Sequence, residues 1–455
     1  MSLTAKIVFA YIFVLGLTFT FLVPPLQKPD EHGHFIRSIL LSHGKIFLTN
    51  EDALLPIEKQ YYDLIHDRLL NAIPYHSQVK FNTTWYGRSL FAAKDAYRLM
   101  NEVTWGQFML PAASYIPYAA GMYVARLFYL NAHLTFFAGR LAMFLVIFFW
   151  MIFLYKRIPS PYRPILLFVC SLPMVIHQIT GYNYDAMQYL MGFSLFVLLL
   201  NLLEKRKLNW ADLGVLSGIY ILYLILKLSF EPMLLLIFVI PYKKIDTGFA
   251  GYVKKILFVI AVIMIGYFLI KSTFFISATQ YTHHPKGINP ALQIQYILSH
   301  PFGYLQILAR SGIHLTKFHV QGLIGIFGWL DYSMDPWLYI LFIGAGVYLV
   351  ATTKIKHKEH FSQWQIFIIM GSLLLTYFFM LTIFYLNWKP VGSTMIDGTQ
   401  GRYFISMLPF FLFGLIQLRG NTLLNVKMPK INFLLVFILF FVIVSIVNSI
   451  RTRYY

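Results

Sequence analysis

Eleven apolar runs, most of them close to the length of a bilayer-spanning helix, dominate this sequence. About 20 apolar residues in a helix cross the hydrocarbon core of a membrane. Only 12% of the residues are charged, which is about half the share found in soluble domains. The sequence therefore predicts an all-α, polytopic integral membrane protein with about 11 transmembrane helices. The predicted spans are 5–23, 134–155, 164–180, 186–203, 213–227, 231–242, 256–275, 336–351, 364–386, 405–418 and 431–449, of which the fifth, sixth and tenth are short.

Basic residues collect in the short loops on one side of this topology. Together with Lys6, those loops hold 17 of the 37 Lys and Arg residues and only four acids. Because Lys and Arg are enriched in cytoplasmic loops, the pattern predicts a cytoplasmic N-terminus. The formal charge of +19 then reflects membrane topology and does not indicate a nucleic-acid partner. The basic groups are Lys156-Arg157 with Arg163, Lys205-Arg206-Lys207, Lys243-Lys244 with Lys254-Lys255, Lys354 with Lys356 and Lys358, and Arg419 with Lys427 and Lys430.

Two long segments, 24–133 and 276–335, fall on the opposite, outer side of the predicted membrane. Within the first, the stretch 108–130 is apolar but is interrupted by two prolines and Arg126. Counting it as a span would move the following basic loops to the outside, so an interfacial helix is the better interpretation. We expect a single membrane domain over 1–455, with interfacial helices in both outer segments.

The first outer segment opens with two adjacent acids, Asp30 and Glu31, just past the first span. If a helix begins at Asp30, then His34 and Arg37 follow on the same face, at i+4 and i+7. A carboxylate at the membrane boundary can accept a proton from a hydroxyl group or bind a divalent cation. The alternative is that Asp30 only caps the helix and stabilises its dipole. The residues alone leave both interpretations open.

Asp185 is the only acid in the outer turn between the third and fourth predicted spans. It faces the same compartment as Asp30, which makes it a candidate second ligand or orienting group for the same site. The alternative is again a structural one, because Asp185 could cap a helix that starts at Ala186.

The last outer loop contains the sequence Gly398-Thr399-Gln400-Gly401-Arg402-Tyr403-Phe404. The planar guanidinium of Arg402 can bind a phosphate, and the flanking glycines allow close approach of the backbone. Lys389 in the same loop is a second candidate phosphate ligand, and Gln400 and Tyr403 are candidate substrate contacts. The alternative for Arg402 is simple contact with lipid headgroups.

The outer segment 299–331 has apolar residues at helical spacing and ends in Gly328-Trp329-Leu330-Asp331. An amphipathic helix on the membrane surface is the plain interpretation. The functional interpretation is that this segment covers a bound substrate, with Trp329 stacked on a sugar ring and Asp331 bound to its hydroxyl groups.

Several enzyme classes are excluded by the absence of their motifs. The sequence has no H-E-x-x-H pattern, no phosphate-binding P-loop and no glycine-rich dinucleotide fingerprint. The chain also offers no segment that could form a soluble nucleotide-sugar domain.

The order and placement of these motifs resemble the GT-C glycosyltransferases, and within them a bacterial branch of predicted membrane proteins. The resemblance extends from residue 25 to residue 409. It is carried by Pro25, Pro29-Asp30-Glu31, His34-Phe35, the Asp185 turn, Lys227, Glu231-Pro232, Gly328 to Asp331, Gln400 to Phe404, and Pro409.

The resemblance implies that a sugar moves from a polyprenyl-phosphate donor to a glycan or glycolipid acceptor, on the outer side of a bacterial cytoplasmic membrane. Asp30 would be the base or a metal ligand, Asp185 the second acid, and Arg402 the phosphate ligand, with Glu31 and His34 in support. Some relatives use a divalent cation such as Mg²⁺ or Mn²⁺ and others do not. If one is used here, Asp30 and Asp185 would bind it. The turn before Asp185 departs from the Asp-x-Asp pair of the metal-using branches.

Two other functions remain open at the level of sequence. A chain with this many spans and no nucleotide motif could be a transporter or a flippase of lipid-linked sugars. It could also be a polymerase or ligase of lipid-linked glycans. Transporters usually place charged residues at mid-membrane, whereas the acids here cluster at the outer boundary.

Overall fold

The computed structural model describes residues 1–46, 48, 54–87, 89–103, 111–246, 249–270, 287–353, 361–420 and 432–455. Most of these residues are helical. The helices are α1 Leu3–Leu22, α2 Glu31–Ser42, α3 Lys59–Ile65, α4 Arg68–Ala72, α5 Ile116–Leu127, α6 Ala132–Arg157, α7 Arg163–Cys170, α8 Pro173–Ile179, α9 Asp185–Glu204, α10 Trp210–Leu226, α11 Phe249–Ile270, α12 Pro290–Ser299, α13 Pro301–Ile324, α14 Pro336–Thr352, α15 Gln363–Trp388, α16 Leu408–Arg419 and α17 Asn432–Tyr454. Two longer 3₁₀ helices, Leu228–Val239 and Gly401–Met407, lie between α10 and α11 and before α16.

Seven of the described helical segments are long and apolar enough to cross a membrane. They are Leu3–Leu22, Ala132–Arg157, Asp185–Glu204, Phe249–Leu269, Gln363–Trp388, Gly401–Arg419 and Leu435–Tyr454. The predicted polytopic helical membrane protein is confirmed in this form.

The remaining predicted spans have a less regular form. The run 164–180 folds as two helices, α7 and α8, which meet at a bend of 70°. The runs 213–227, 231–242 and 336–351 form shorter apolar helices of 17, 12 and 17 residues. The count of eleven therefore stays a prediction.

The long segments 24–133 and 276–335 contain, in their described residues, two small antiparallel sheets that the all-α prediction missed. Strand β1, Leu54–Glu58, pairs with β2, Leu99–Val103, and β3, Ile326–Phe327, pairs with β4, Tyr332–Ser333. The turn between β3 and β4 includes Gly328 with φ at 58°, a conformation that suits glycine. Sheets this small carry too little periodic pattern to be recognised in an apolar sequence.

The end of α17 and part of the segment 24–133 meet at the end of α1. The Tyr455 hydroxyl donates to the Leu22 carbonyl at 3.1 Å, so α17 ends beside the end of α1. The Phe81 amide donates to the Tyr454 carbonyl at 2.7 Å, which joins the first outer segment to the same place. The face of the molecule defined by the ends of α1 and α17 and the start of α9 is called the site face below.

Candidate functional site at one membrane face

Three distant parts of the chain meet on the site face. The Tyr182 amide donates to the Glu31 carboxylate at 3.0 Å, which joins the start of α2 to the turn before α9. The Tyr189 hydroxyl donates to the Arg402 carbonyl at 2.8 Å, which joins α9 to the last outer loop. The regions that the sequence singled out around Asp30, Asp185 and Arg402 are therefore brought together.

Glu31 has a different role from the one predicted. Its carboxylate receives two hydrogen bonds from Arg140, at 2.9 Å from Nε and 2.6 Å from Nη2, and both side chains are fully buried. The Lys28 and Tyr182 amides donate to the same carboxylate. Since every carboxylate oxygen already accepts two bonds, Glu31 is a structural anchor and is not free to accept a proton from a substrate.

Arg140 anchors the end of α1 as well. Its remaining N–H groups donate to the carbonyls of Thr20, Val23 and Pro24, between 2.7 and 3.2 Å. These carbonyls lie at or just after the end of a helix, where they lack partners within the helix. Arg140 thus fixes the point at which the chain leaves α1 toward Asp30.

Lys28 ties the same loop to α8. Its Nζ donates to the His177 carbonyl at 2.6 Å and to the Thr180 hydroxyl at 2.9 Å. Burial lowers the pKa of Lys28 well below its usual range, and the nearby Arg140 charge lowers it further. A neutral amine can still donate both bonds, so the contact persists whether or not Lys28 is charged.

Asp30 is exposed and its carboxylate accepts no hydrogen bond from any residue that the structure describes. It precedes α2 at the N-cap position, but its side chain makes no capping hydrogen bond. Its φ of 58° lies in the left-handed region, which Asp tolerates better than most residues. Asp30 lies close enough to Tyr75 and Tyr184 for its negative charge to raise the pKa of their hydroxyl groups, although burial of those groups is the larger cause. Tyr403 also lies within reach of the Asp30 charge.

Strained backbone collects around Asp30. Of the five non-glycine residues with positive φ that the structure describes, four lie in this region: Leu26, Asp30, Tyr75 and Leu330. The Trp329 indole donates to the Leu26 carbonyl at 3.2 Å, and its ring meets the Tyr75 ring edge to face at 5.8 Å. Clusters of strained conformations occur mainly at functional sites, where surrounding structure holds them in place.

Asp185 and Arg402 form a buried ion pair, with 3.5 Å between Oδ2 and Nε. Asp185 Oδ1 and Arg402 Nε have no hydrogen-bond partner within the described part of the chain. The α9 helix is capped instead by Asn183, whose side chain accepts a bond from the Ala186 amide at 2.9 Å. Asp185 is therefore not the cap that the alternative interpretation required, and the pair retains unused hydrogen-bonding capacity.

Lys227 joins this cluster from the end of α10, although the sequence analysis did not place it among the site residues. Its Nζ lies 3.8 Å from the centre of the Tyr403 ring and 5.5 Å from that of Tyr184. The Arg402 guanidinium lies 5.4 Å from the Tyr403 ring, so this ring contacts both cations. The signal in the sequence was a lysine directly after an apolar run, in front of Glu231-Pro232.

His34 lies at the edge of the cluster in its neutral form. Its Nδ1 is 2.6 Å from the Tyr115 hydroxyl, and its ring meets the Tyr184 ring at 5.6 Å. Burial lowers the pKa of His34 to about 3, with smaller contributions from the charges of Arg402 and His32. At neutral pH the ring is therefore a hydrogen-bonding group and carries no charge.

Three other predicted site residues have structural partners of their own. Arg37 donates to the carbonyls of Lys45 and Ile46, at 2.9 and 2.6 Å. Asp331 is paired with Arg453 at 2.6 Å, and Lys389 is paired with the exposed Asp397. The prediction of direct substrate contact is not supported for these three. Trp329 remains beside Asp30 through its contact with Tyr75.

The loop that contains Arg402 is held from behind by α13. His319 Nε2 lies 3.1 Å from the Thr399 carbonyl and 3.0 Å from its hydroxyl. Gly401 packs directly on the backbone of His319 and Gly322, and a Cβ at Gly401 would clash with it. The buried Gln400 Oε1 has no hydrogen-bond partner among the described residues.

The carboxylates here are a poor set of ligands for Mg²⁺ or Mn²⁺, which prefer several oxygen ligands. Within the described ranges, no three His, Cys, Asp or Glu side chains lie close enough together to hold a metal ion. Asp185 is also already paired with Arg402. The divalent cation stays a prediction, and no chemical step below depends on it.

The comparisons with known proteins give a family and no activity. No curated protein and no solved structure matches the chain. One family model, described as predicted membrane protein (DUF2142), matches residues 13–411. The match includes the ends of α1, α9 and α10 and the loop with Arg402, and thus every part of the site. The chain therefore belongs to this family of predicted membrane proteins.

Proposed function

We propose that this protein is a membrane glycosyltransferase that moves a sugar from a polyprenyl-phosphate donor to a hydroxyl group of a glycan or glycolipid. The observation that carries the proposal is the unengaged carboxylate of Asp30, placed at the open edge of a buried cluster with two cations. This arrangement offers a proton acceptor beside groups that can stabilise a departing phosphate. The proposed setting is the outer face of a bacterial cytoplasmic membrane.

Asp30 is the general base in this proposal. The acceptor oxygen attacks the anomeric carbon, its proton passes to Asp30, and the bond from the anomeric carbon to the phosphate oxygen breaks. A well-placed general base contributes about 10²- to 10⁴-fold to the rate. Direct displacement from the face opposite the phosphate inverts the anomeric centre.

The buried cations stabilise the other end of the reaction. Negative charge builds on the phosphate oxygen as the bond to the sugar breaks, and positively charged donors that are already in place stabilise it. Arg402 provides such a donor, and Asp185 holds it in position across 3.5 Å. His34 is neutral and hydrogen-bonded to Tyr115, so it packs beside these groups without adding a charge.

A transporter or flippase of lipid-linked sugars would use the same lipid. It would also need charged groups along a path through the membrane. A free carboxylate, Asp30, near two cations, Arg402 and Lys227, at one face favours a transfer reaction at that face over transport. A polymerase or ligase of lipid-linked glycans would use the same site with a longer donor.

The test uses the full-length protein in lipid vesicles with polyprenyl-phosphate sugars that carry a radioactive label. We expect label to move to an acceptor glycolipid, and we expect Asp30→Asn to lower the rate at least about 100-fold without loss of folded protein. Asp63→Asn is the matched control, because Asp63 is an exposed carboxylate in α3, paired with Lys59. Movement of label across the vesicle membrane without transfer would instead identify a transporter.

A further inference from the structure

Lys227 is a lysine of the site whose ammonium group has no hydrogen-bond acceptor among the described residues. Its Nζ is buried, and none of the described residues accepts a bond from it. Burial of an ammonium group without hydrogen bonds is costly. Most buried polar groups in folded proteins have a partner, so a lysine without one points to a water molecule, an ion or a ligand that binds there. Lys227 lies directly after α10, in the cluster of Asp185 and Arg402.

Aromatic faces partly replace the missing acceptor. The Tyr403 ring lies 3.8 Å from Nζ and the Tyr184 ring lies 5.5 Å away. A cation over an aromatic ring is stabilised by the negative face of the ring, but this contact leaves the three N–H donors of lysine unused. Lys227 can therefore give up its contact with the Tyr403 ring when an anion that accepts hydrogen bonds enters the site.

Among the buried groups of the cluster, which the exposed Asp30 only borders, the charges do not balance. One carboxylate, Asp185, faces two cations, Arg402 and Lys227. Arg402 has the direct ion pair with Asp185, so the excess positive charge belongs to Lys227. An anion that enters the cluster would balance this charge and would find free donors on both cations.

We infer that Lys227 is the primary ligand of a phosphate group on a lipid, with Arg402 as the second ligand. Phosphate has several acceptor oxygens, and it can bind the compact ammonium of lysine and the planar guanidinium of arginine at the same time. Lys227 and Arg402 then form the subsite for the phosphate leaving group of the proposed transferase. That the phosphate belongs to a lipid rests on the proposed function.

The test measures binding to the purified full-length protein without any transfer reaction. Geranylgeranyl phosphate and geranylgeraniol share the same hydrocarbon chain and differ only in the phosphate. Inorganic phosphate is the third probe, because it separates a lipid ligand from the free ion. The variants are Lys227→Gln, Lys227→Arg and the control Lys205→Gln, which removes an exposed lysine that is paired with Asp212. Size-exclusion profiles and melting temperatures identify any variant that does not fold.

We expect the wild-type protein to bind geranylgeranyl phosphate at least about tenfold more tightly than the alcohol, and more tightly than inorganic phosphate. Lys227→Gln should remove this preference, while Lys227→Arg and Lys205→Gln should keep most of it. If Lys227→Gln does not fold, Lys227→Met takes its place, because methionine keeps the length of the side chain without its charge, and it should remove the preference in the same way. The inference is wrong if Lys227→Gln binds the lipid phosphate as the wild type does, or if the wild type shows no preference.

Failure of this inference can be separated from failure of the proposed function. Binding of the lipid phosphate through Lys227 without any sugar transfer would leave the inference intact and contradict the transferase. If the wild type transfers sugar and the Lys227→Gln variant binds lipid phosphate normally, the transferase is supported and the role of Lys227 is contradicted.

Discussion

Arg140 and Glu31 form a fully buried ion pair with two parallel hydrogen bonds of 2.9 and 2.6 Å, between residues 109 positions apart in the chain. The pair joins α6 to the start of α2 and fixes the backbone that leads into Asp30. Removal of one partner leaves a buried charge without compensation, whereas removal of both does not.

Arg140→Met should therefore destabilise the protein by about 3 to 5 kcal/mol, and Glu31→Gln should also destabilise it because Arg140 loses its counter-charge. The double variant should lose less than the sum of the two single losses. Thermal unfolding followed by size-exclusion chromatography in detergent measures all three. Purely additive losses would show that the two residues do not act as a pair.

Gly401→Ala should reduce binding of geranylgeranyl phosphate, because the added methyl group meets the backbone of His319 and Gly322 and pushes the loop with Arg402 out of place. We expect a loss of at least about tenfold, as for other small displacements of positioned groups. The matched control is Gly371→Ala in α15, where no atom lies within 4 Å of the added Cβ. Equal behaviour of the two variants would contradict the close packing at Gly401.

Tyr75→Ala should raise the KM for the sugar substrate about 3- to 10-fold with little change in kcat, which is the size expected when an aromatic contact is lost. The Tyr75 side chain is 71% exposed beside Trp329 and near Asp30, so it can stack on a sugar ring without a role in folding. Tyr75→Phe should behave as the wild type. Tyr123→Ala, which removes an exposed tyrosine from α5, is the control. A change in kcat alone would contradict a binding role.

Acidification should destabilise the folded protein through His34. Its pKa is lowered to about 3 in the folded state, whereas an unfolded histidine titrates near 6.5. The unfolded chain therefore binds more protons between these values, and stability falls as the pH drops from about 6.5 toward 3, by up to about 1.4 kcal/mol per pH unit. His34→Gln should show a smaller loss in melting temperature between pH 7.5 and 5 than the wild type. The exposed His300→Gln variant should show the same loss as the wild type.

The charged residues explain how far the site could be predicted from sequence. In a chain with few acids, Asp30 and Asp185 stand out because each follows or precedes an apolar run on the same side. Glu31 stands out for the same reason and was predicted as a catalytic residue. Its ion pair with Arg140 was not predictable, because Arg140 is remote in the chain and no local pattern reveals the pair. Lys227 contributed to the family resemblance but was not given a role in the site, since a lysine at the end of a span usually extends toward the lipid headgroups.

The fold was predictable where the apolar runs are long and uniform, as in α1, α6, α9 and α15. It was less predictable where a run bends, as between Cys170 and Pro173, because Pro173 begins a new helix within an apolar stretch. The small sheets around Leu54–Glu58 and Gly328 depend on contacts between segments, which the pattern of a single segment does not contain.

The hydrogen bond between Tyr189 and Arg402 joins residues 213 positions apart. At about 5 to 20 residues per second, a ribosome needs about 10 to 40 s to add that length of chain. During this interval α9 is already made while Arg402, the ion-pair partner of Asp185, does not yet exist. The site therefore cannot assemble before Arg402 has been added, and a nascent chain that ends before this residue lacks one of the two cations that would hold a lipid phosphate.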